Sequence, residues 1–458
     1  MIRPTMLAAA ALLLAPLPAA AQNVAQVELD ARYARALAAG YKALMLCGAI
    51  ANAERAGIRR NAESVMEWEM AGIQDPLDEI VGWVPYEVVR APNGEVYYVT
   101  ANWSAELPDR VAVNAPGEGC AIQPIGFDPL ALPVLEEGDW PEPERRIQVW
   151  HDTTPDYMRA VFDAAFSGTY GADSRTTALI VDDSQNRVMW DFDEDFDPFT
   201  PQRTWSVAKS IAATLIGAAV QRGEADVTAS VGLGESETDP RRAITIDNLL
   251  RMASGRYTDT PGNRTDPLYF GGATVDEVAL DWPLIHAPGS TYRYANNDTL
   301  AAVQAIEHTF ADHPPAELFA QLGMDRTVAE TDWQGNYILS SQVWSTGVDL
   351  LRLGQLHLND GVLPDGTRIL PEGWVDYVTT PSGPQPPGAF GYGAGWWLMN
   401  NSAGVPPDTF FANGNRGQYV VVVPSRSVVI VRRGEDPAGG SGFDIAAFTR
   451  DVLAALEE

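Results

Sequence analysis

"TWSVAKSIAATLIGAAVQRG", residues 204–223, sets a serine, a lysine three places on, and a run of small and apolar residues closed by Gly223. The run reads as a buried helix with Gly223 as its stop signal. Residues three apart share a helix face, so Lys209 reaches back beside Ser206 in the first turn. The lysine stands out because the chain writes its positive charge as arginine: Lys42 and Lys209 are its only lysines among 458 residues. A serine hydroxyl becomes a nucleophile when a neighbouring base takes its proton. Burial among Val207, Ala208 and Ile211 lowers a lysine's pKa, whereas arginine stays charged throughout. With 19 serines and two lysines, roughly 0.08 chance matches to Ser-x-x-Lys are expected in this chain. The alternative is a lysine that caps a buried helix by snorkelling its amine to water.

The rival serine chemistry finds little support. There is no G-x-S-x-G elbow, "GGSGF" (439–443) has the wrong spacing, and the five histidines sit in contexts that read as structural. Two cysteines in no C-x-x-C pattern and five scattered histidines supply no metal-ligand set, and no cofactor is expected. A formal net charge of −30 argues against nucleic acid or an anionic membrane as partner, since either needs a basic face.

The first residues, "MIRPTMLAAAALLLAPLPAAAQ", place Arg3 before an apolar run and an A-x-A pattern at Ala19 and Ala21. That reads as a secretory signal peptide over 1–21, and the destination as periplasmic or secreted. No later stretch reads as long and apolar enough to cross a bilayer. In an oxidising compartment the even pair Cys47 and Cys120 is expected to form a disulfide.

Residues 22–145 form an N-terminal region with no legible motif, expected to act as structural cover. It opens with an Ala/Leu-rich helical run within 26–72. A hairpin follows in "PYEVVRAPNGEVYYVTAN" around Pro92-Asn93-Gly94, and a Pro- and acid-rich linker over 127–146 ends the region. From 146 to 458 the pattern runs helix (155–166), two strands joined at Ser184-Gln185, a long helical stretch, four strands, and a helix from about 443 to 457. Strands at both ends with helices between them predict an α+β sandwich: an antiparallel sheet flanked by terminal helices and carrying a mostly helical insertion.

Downstream, "HAPGSTYRYANNDTLAAVQAIE" (286–307) has a Pro-Gly turn, then Tyr294-Ala295-Asn296, then a helix-like run. Alone, these are a turn tyrosine and a capping asparagine. With Ser-x-x-Lys upstream, and with "ITIDNLLRMASG", "LGMDRT" and "STGVDLLRLGQLHLNDGVLPDGTRILPEGW" in order, residues 150–458 resemble the serine β-lactamase and penicillin-binding superfamily. The resemblance is to its class C-like branch of esterases, D-aminopeptidases, D,D-carboxypeptidases and 6-aminohexanoate-dimer hydrolases.

The resemblance implies a β-lactamase-like fold and an acyl-enzyme mechanism on a small-molecule ester or amide. Ser206 is the implied nucleophile, Lys209 the base acting directly or through Tyr294, and Tyr294 the shuttle to the leaving group. Asn296 would hold the lysine amine or the substrate amide. The Ser206 amide forms half of an oxyanion hole. The family's third motif, Lys-Thr-Gly or a histidine variant, falls at "FFANGNRGQYVVVVPS" (410–425), where Ala412-Asn413-Gly414 and then Asn415 stand instead. Asn415 beside Gly414 is expected to give the second oxyanion donor. Arg416 either replaces the missing lysine as a carboxylate partner or sits on an exposed turn. The aromatics Tyr257, Tyr269 and Trp396-Trp397 either shape the pocket or fill core. The competing function is a catalytically silent penicillin-binding-like module that binds a cell-wall peptide or partner. Within enzymes, the competitor is a β-lactamase or D,D-carboxypeptidase. The sequence sets no oligomeric state.

Overall fold

The computed structural model describes residues 24–136, 154–183, 187–258 and 265–457. The signal-peptide expectation for 1–21, the Ser184-Gln185 junction and the end of the linker (137–146) lie outside the described residues.

The N-terminal region is built on one long helix, α1 (Gln26–Arg55), laid against an antiparallel meander. The meander comprises β1 (Tyr86–Arg90), β2 (Val96–Ala101), β3 (Arg110–Ala115) and β4 (Gly119–Ile122). The hairpin expected at Pro92-Asn93-Gly94 joins β1 to β2, pairing Tyr86 with Ala101 and turning through Gly94 at φ 90°. Cys47 on α1 is bonded to Cys120 on β4 with the Cα atoms 6.0 Å apart, which pins the helix to the last strand.

One expectation needs correction. α1 is long and apolar enough to span a bilayer, with a mean hydropathy of 1.3 over eighteen residues, although that window is entirely buried inside the protein. The sequence pattern is that of a core helix covered on all sides. One side faces the meander, and the other faces Trp205, Leu268, Phe270, Leu300 and Trp344 from the rest of the chain. The contact is close: a Cβ on Gly40 would fall 1.9 Å from the Phe270 carbonyl oxygen, and one on Gly48 would fall 2.6 Å from the Trp344 ring. The cover and the covered part therefore share one apolar core.

The second unit centres on a seven-stranded antiparallel sheet. In chain order the elements that frame the sheet and the site are α2 (Asp156–Phe166), β5 (Thr176–Asp182), β6 (Val188–Phe192), α3 (Val207–Gln221), α4 (Asn296–Ile306), α5 (Gly347–Leu358), β7 (Gly391–Tyr392), β8 (Trp397–Leu398), β9 (Phe410–Gly414), β10 (Gln418–Val423), β11 (Val428–Gly434) and α6 (Ile445–Ala455), with further short helices and strands between them. The strand order is β7-β8-β9-β10-β11-β5-β6, so β5, from before the insertion, pairs with the last strand (Ile430 opposite Val181). The period-two alternation of a strand sorts the apolar residues cleanly. Leu179, Val181, Val421, Val423 and Ile430 meet Phe162 and Phe448 of the terminal helices α2 and α6. Ile180, Val420, Val422, Val429 and Val431 meet Ile211, Leu350 and Leu353 of α3 and α5. Every residue of β5 is buried because both faces are covered, which is why it reads as an unbroken apolar run. The α+β sandwich with terminal helices and a helical insertion is the architecture observed.

Replacing both Cys47 and Cys120 by alanine should lower the unfolding free energy by about 3 kcal/mol, as expected for a crosslink closing a long loop. The check is a guanidinium denaturation curve compared with the oxidised wild type.

Candidate active site

The quoted segment enters the site through a short strand. Gln202–Arg203 pairs with Val343–Ser345, and the Thr204 amide donates to the Val343 carbonyl at 2.7 Å. The chain then turns at Trp205, whose φ of 50° lies in the left-handed region that a bulky residue seldom occupies. Its indole is held over the Arg203 guanidinium, 3.9 Å from ring centroid to Cζ. This sharp turn delivers Ser206 to the mouth of α3, half-buried and first in line with the helix axis.

Lys209 lies one turn further and is 2% exposed. Its Nζ donates to Ser206 Oγ at 3.0 Å, to Asn296 Oδ1 at 2.7 Å and to the Ser340 carbonyl at 2.9 Å. Burial pushes its pKa down to about 7. The snorkelling alternative is thus replaced by an amine turned inward. Two of the acceptors, Asn296 Oδ1 and Ser340 O, can engage two N–H bonds of the neutral amine. The third direction, toward Ser206 Oγ, is then left for the lone pair.

Asn296 opens α4 and is itself fixed by donating Nδ2 to Thr265 Oγ1 at 3.1 Å. Ser340 is tied through its hydroxyl to Tyr269 Oη at 2.6 Å. The Tyr294 ring lies 5.3 Å from the Trp397 ring, centroid to centroid, it lines the same cleft as Ser206, and burial raises its pKa to about 12. The Lys209 ammonium lies 5.1 Å from its ring centroid. Ser206, Lys209, Tyr294 and Asn296 therefore converge on one point.

The fourth wall is the end of β9. A Cβ on Gly414 would fall 2.3 Å from the Thr204 carbonyl oxygen and 3.2 Å from the Val207 amide, so only glycine lets this strand press against the first turn of α3. That approach brings Asn415 beside Ser206. Among the described residues neither the Ser206 nor the Asn415 amide donates to another protein group. Both border a cleft of about 590 Å³, together with Tyr294, Trp397 and the N-terminal region's Gln74 and Asp75.

Arg416 departs from both expectations. It is neither an arginine on an exposed turn nor a guanidinium open to a substrate carboxylate. It is 4% exposed and is engaged by Glu435 Oε2 at 2.6 Å and by the carbonyls of Trp68, Ala71 and Gly72 at 2.8 to 2.9 Å. The aromatics divide as well. Tyr269 and Trp397 border the cleft, Trp396 packs in the core against His357, and Tyr257 lines a separate cavity of about 300 Å³. One contributor escaped the sequence reading: the Ser340 carbonyl has no side-chain signature.

The family model described as Beta-lactamase matches residues 172–433. "Penicillin-binding protein 4" of Amycolatopsis lactamdurans is 26% identical over 272 residues, covering 49% of this chain and 69% of that protein. Among solved structures, a Bacillus anthracis protein assigned as a 6-aminohexanoate-dimer hydrolase superposes with a TM-score of 0.53 at 19% identity, covering 66% of this chain and 81% of that one. A penicillin-binding protein homologue from Caulobacter crescentus gives a TM-score of 0.52 at 16% identity, covering 67% and 99%. The two superpositions speak for the fold, and the family match, which spans more than half of the sequence and contains Ser206, Lys209, Tyr294 and the β9 turn, makes the chain a member of the Beta-lactamase family.

Proposed function

We propose that the chain is an exported serine hydrolase that cleaves a small ester or amide through an acyl-enzyme on Ser206. In this reading 1–21 is the leader, 22–145 the cover and 146–458 the hydrolase domain. The observation that carries the reading is the buried Lys209 amine, with a pKa near 7, hydrogen-bonded to Ser206 Oγ. Export draws support from the leader pattern and from the Cys47–Cys120 bond, which suits an oxidising compartment.

The Ser206 hydroxyl gives its proton to Lys209 Nζ as its oxygen adds to the carbonyl carbon. The developing oxyanion takes hydrogen bonds from the Ser206 and Asn415 amides, donors preorganised at a helix start and at a strand end. With a pKa near 12, Tyr294 is a neutral phenol at physiological pH. That assigns the base role to Lys209 directly and leaves Tyr294 to donate to the leaving group. Lys209 then returns the proton taken from Ser206 to the phenolate. In deacylation the route reverses: water gives up a proton to the Tyr294–Lys209 pair, and Ser206 Oγ leaves with one. Asn296 and the Ser340 carbonyl keep the amine aimed throughout.

The third motif sets the substrate class. Ala412 stands where the family has its lysine, and the Arg416 guanidinium is committed elsewhere. The third motif therefore supplies no partner for the carboxylate of a β-lactam or a D-Ala terminus, which favours simple esters and amides over the β-lactamase or D,D-carboxypeptidase alternatives. A silent binding module would have no use for a lysine held near neutrality against a serine.

Ser206→Ala should abolish fluorophosphonate labelling and lower short-chain p-nitrophenyl ester turnover at least ~10³-fold. Equal turnover by wild type and Ser206→Ala would overturn the reading. Cephalosporins and D-Ala-D-Ala peptides should be poorer substrates than the simple ester in the same assay.

Because Lys209 must be deprotonated to act, kcat/KM should rise along a limb centred near pH 7. The same shift has a stability signature. An unfolded lysine keeps its proton up to about 10.5, whereas the folded one releases it near 7. The unfolded chain binds the extra proton between these values, so this group's contribution to stability is least below pH 7 and climbs as pH rises. Lys209→Met should flatten that climb in urea denaturation curves collected from pH 7 to 10.5, while eliminating ester turnover.

A further inference from the structure

The turn that follows β9 is held in place by parts of the chain remote from it. Gly414 pairs with Gln418, leaving Asn415, Arg416 and Gly417 as a three-residue connection between β9 and β10. Arg416 has a φ of 59°, a conformation that a residue with a long side chain adopts rarely unless its surroundings fix it. Here they do. Its guanidinium spends Nε on Glu435 Oε2 at 2.6 Å, Nη1 on the Gly72 carbonyl at 2.9 Å, and Nη2 on the Trp68 and Ala71 carbonyls at 2.8 Å each. The backbone of the turn is tied from the other side. The Asp436 amide donates to the Arg416 carbonyl at 3.1 Å, and Arg432 Nη1 donates to the Gly417 carbonyl at 2.8 Å.

Every one of these bonds is made by Arg416 or Gly417, and none uses the Asn415 amide. Asn415 is exposed and lines the cleft together with Ser206, and among the described residues its amide donates to no other protein group. A planar guanidinium can reach a carboxylate and three carbonyls at fixed angles; an ammonium on a flexible stem cannot.

We infer that Arg416 is a positioning residue for catalysis: through its guanidinium, the N-terminal segment 68–72 and Glu435 fix the β9–β10 turn so that the Asn415 amide faces the oxyanion. The inference rests on the proposed reading of the Ser206 and Asn415 amides as oxyanion donors. It gives the N-terminal region a task beyond cover. It also explains the altered third motif: the position after Asn415 serves the geometry of the turn, not the charge of the substrate. A donor must sit about 2.7–3.1 Å from the developing oxyanion, so a small drift of the turn costs rate while leaving substrate binding almost untouched.

The test uses the full-length protein and single-turnover acylation by p-nitrophenyl acetate, resolved into a maximal rate and a half-saturating concentration. Arg416→Met combined with Glu435→Gln removes both members of the ion pair, so neither is left buried without the other. Gly72→Ala approaches from the other side. Gly72 has a φ of 65°, and its Cβ would meet Pro437 at 3.0 Å, so alanine shifts one carbonyl acceptor and leaves Arg416 and Glu435 intact. The double variant should lose about 10²-fold in maximal acylation rate, and Gly72→Ala several-fold. Half-saturation should stay within about twofold in both. Affinity for phenylboronic acid, whose tetrahedral adduct places an oxygen in the oxyanion position, should fall in proportion to the rate.

Retention of the wild-type rate in the folded double variant would overturn the inference. So would a fall in rate with boronate affinity unchanged, or rate and half-saturation worsening in step with Tm. A wild type with no Ser206-dependent acylation would overturn the parent reading, and this inference with it.

Discussion

The removal of one ammonium group from water organises the candidate site. Lys209 is buried with no compensating carboxylate among the described residues, so its proton is held weakly and the amine is close to neutral at physiological pH. What the protein supplies in place of a carboxylate is a set of neutral acceptors, Asn296 Oδ1 and the Ser340 carbonyl, which fix direction without restoring the charge. A carboxylate at either place would stabilise the ammonium and spoil the base. The surrounding elements serve that condition. α3 is apolar on all sides, α4 contributes an amide side chain at its first residue, and the Ser340 segment presents a backbone oxygen.

The arginine bias of the chain gains a physical sense from the two lysines. Lys42 is as buried as Lys209, on α1, where its Nζ donates to the Val81 carbonyl at 3.0 Å and lies 5.0 Å from the Tyr86 ring centroid. Among the described residues neither lysine has an acidic partner. Arginine occupies the ion pairs, buried ones included, as with Arg60–Glu69, Arg256–Asp298, Arg416–Glu435 and Arg432–Asp436. Its delocalised charge and its fork of donors suit paired burial, whereas a group that must shed its proton has to be a lysine.

How much the sequence disclosed follows from how local each feature is. Ser206 and Lys209 were legible because three residues on a helix fix their relation, and six of the sheet's seven strands were legible because they are short apolar runs at both ends of the unit, whereas β7, two residues long, left no such run. Tyr294 and Asn296 were legible only through resemblance, since a tyrosine and an asparagine two apart carry no chemistry by themselves. α1 was recognised as a helix, but its membrane-like hydropathy was not, because composition does not reveal what will cover a surface. Trp396 and Trp397 are neighbours in sequence and face opposite sides, one to the core and one to the cleft. Arg416 was misjudged in both of its readings, since its partners lie at Gly72, Ala71 and Trp68, 344 to 348 residues away.

That separation carries a consequence for when the site comes into being. Ser206 and Lys209 can meet as soon as one helical turn forms, but the turn bearing Asn415 finds its anchors only after the two ends of the chain have come together. Closing a loop of that length has an entropic cost that local structure does not offset. The complete cleft is therefore a late product of folding, and a nascent or partly unfolded chain carries Ser206, the proposed nucleophile, without the frame around it. On that reading, activity is a certificate of completed assembly, issued from the two ends of the chain at once.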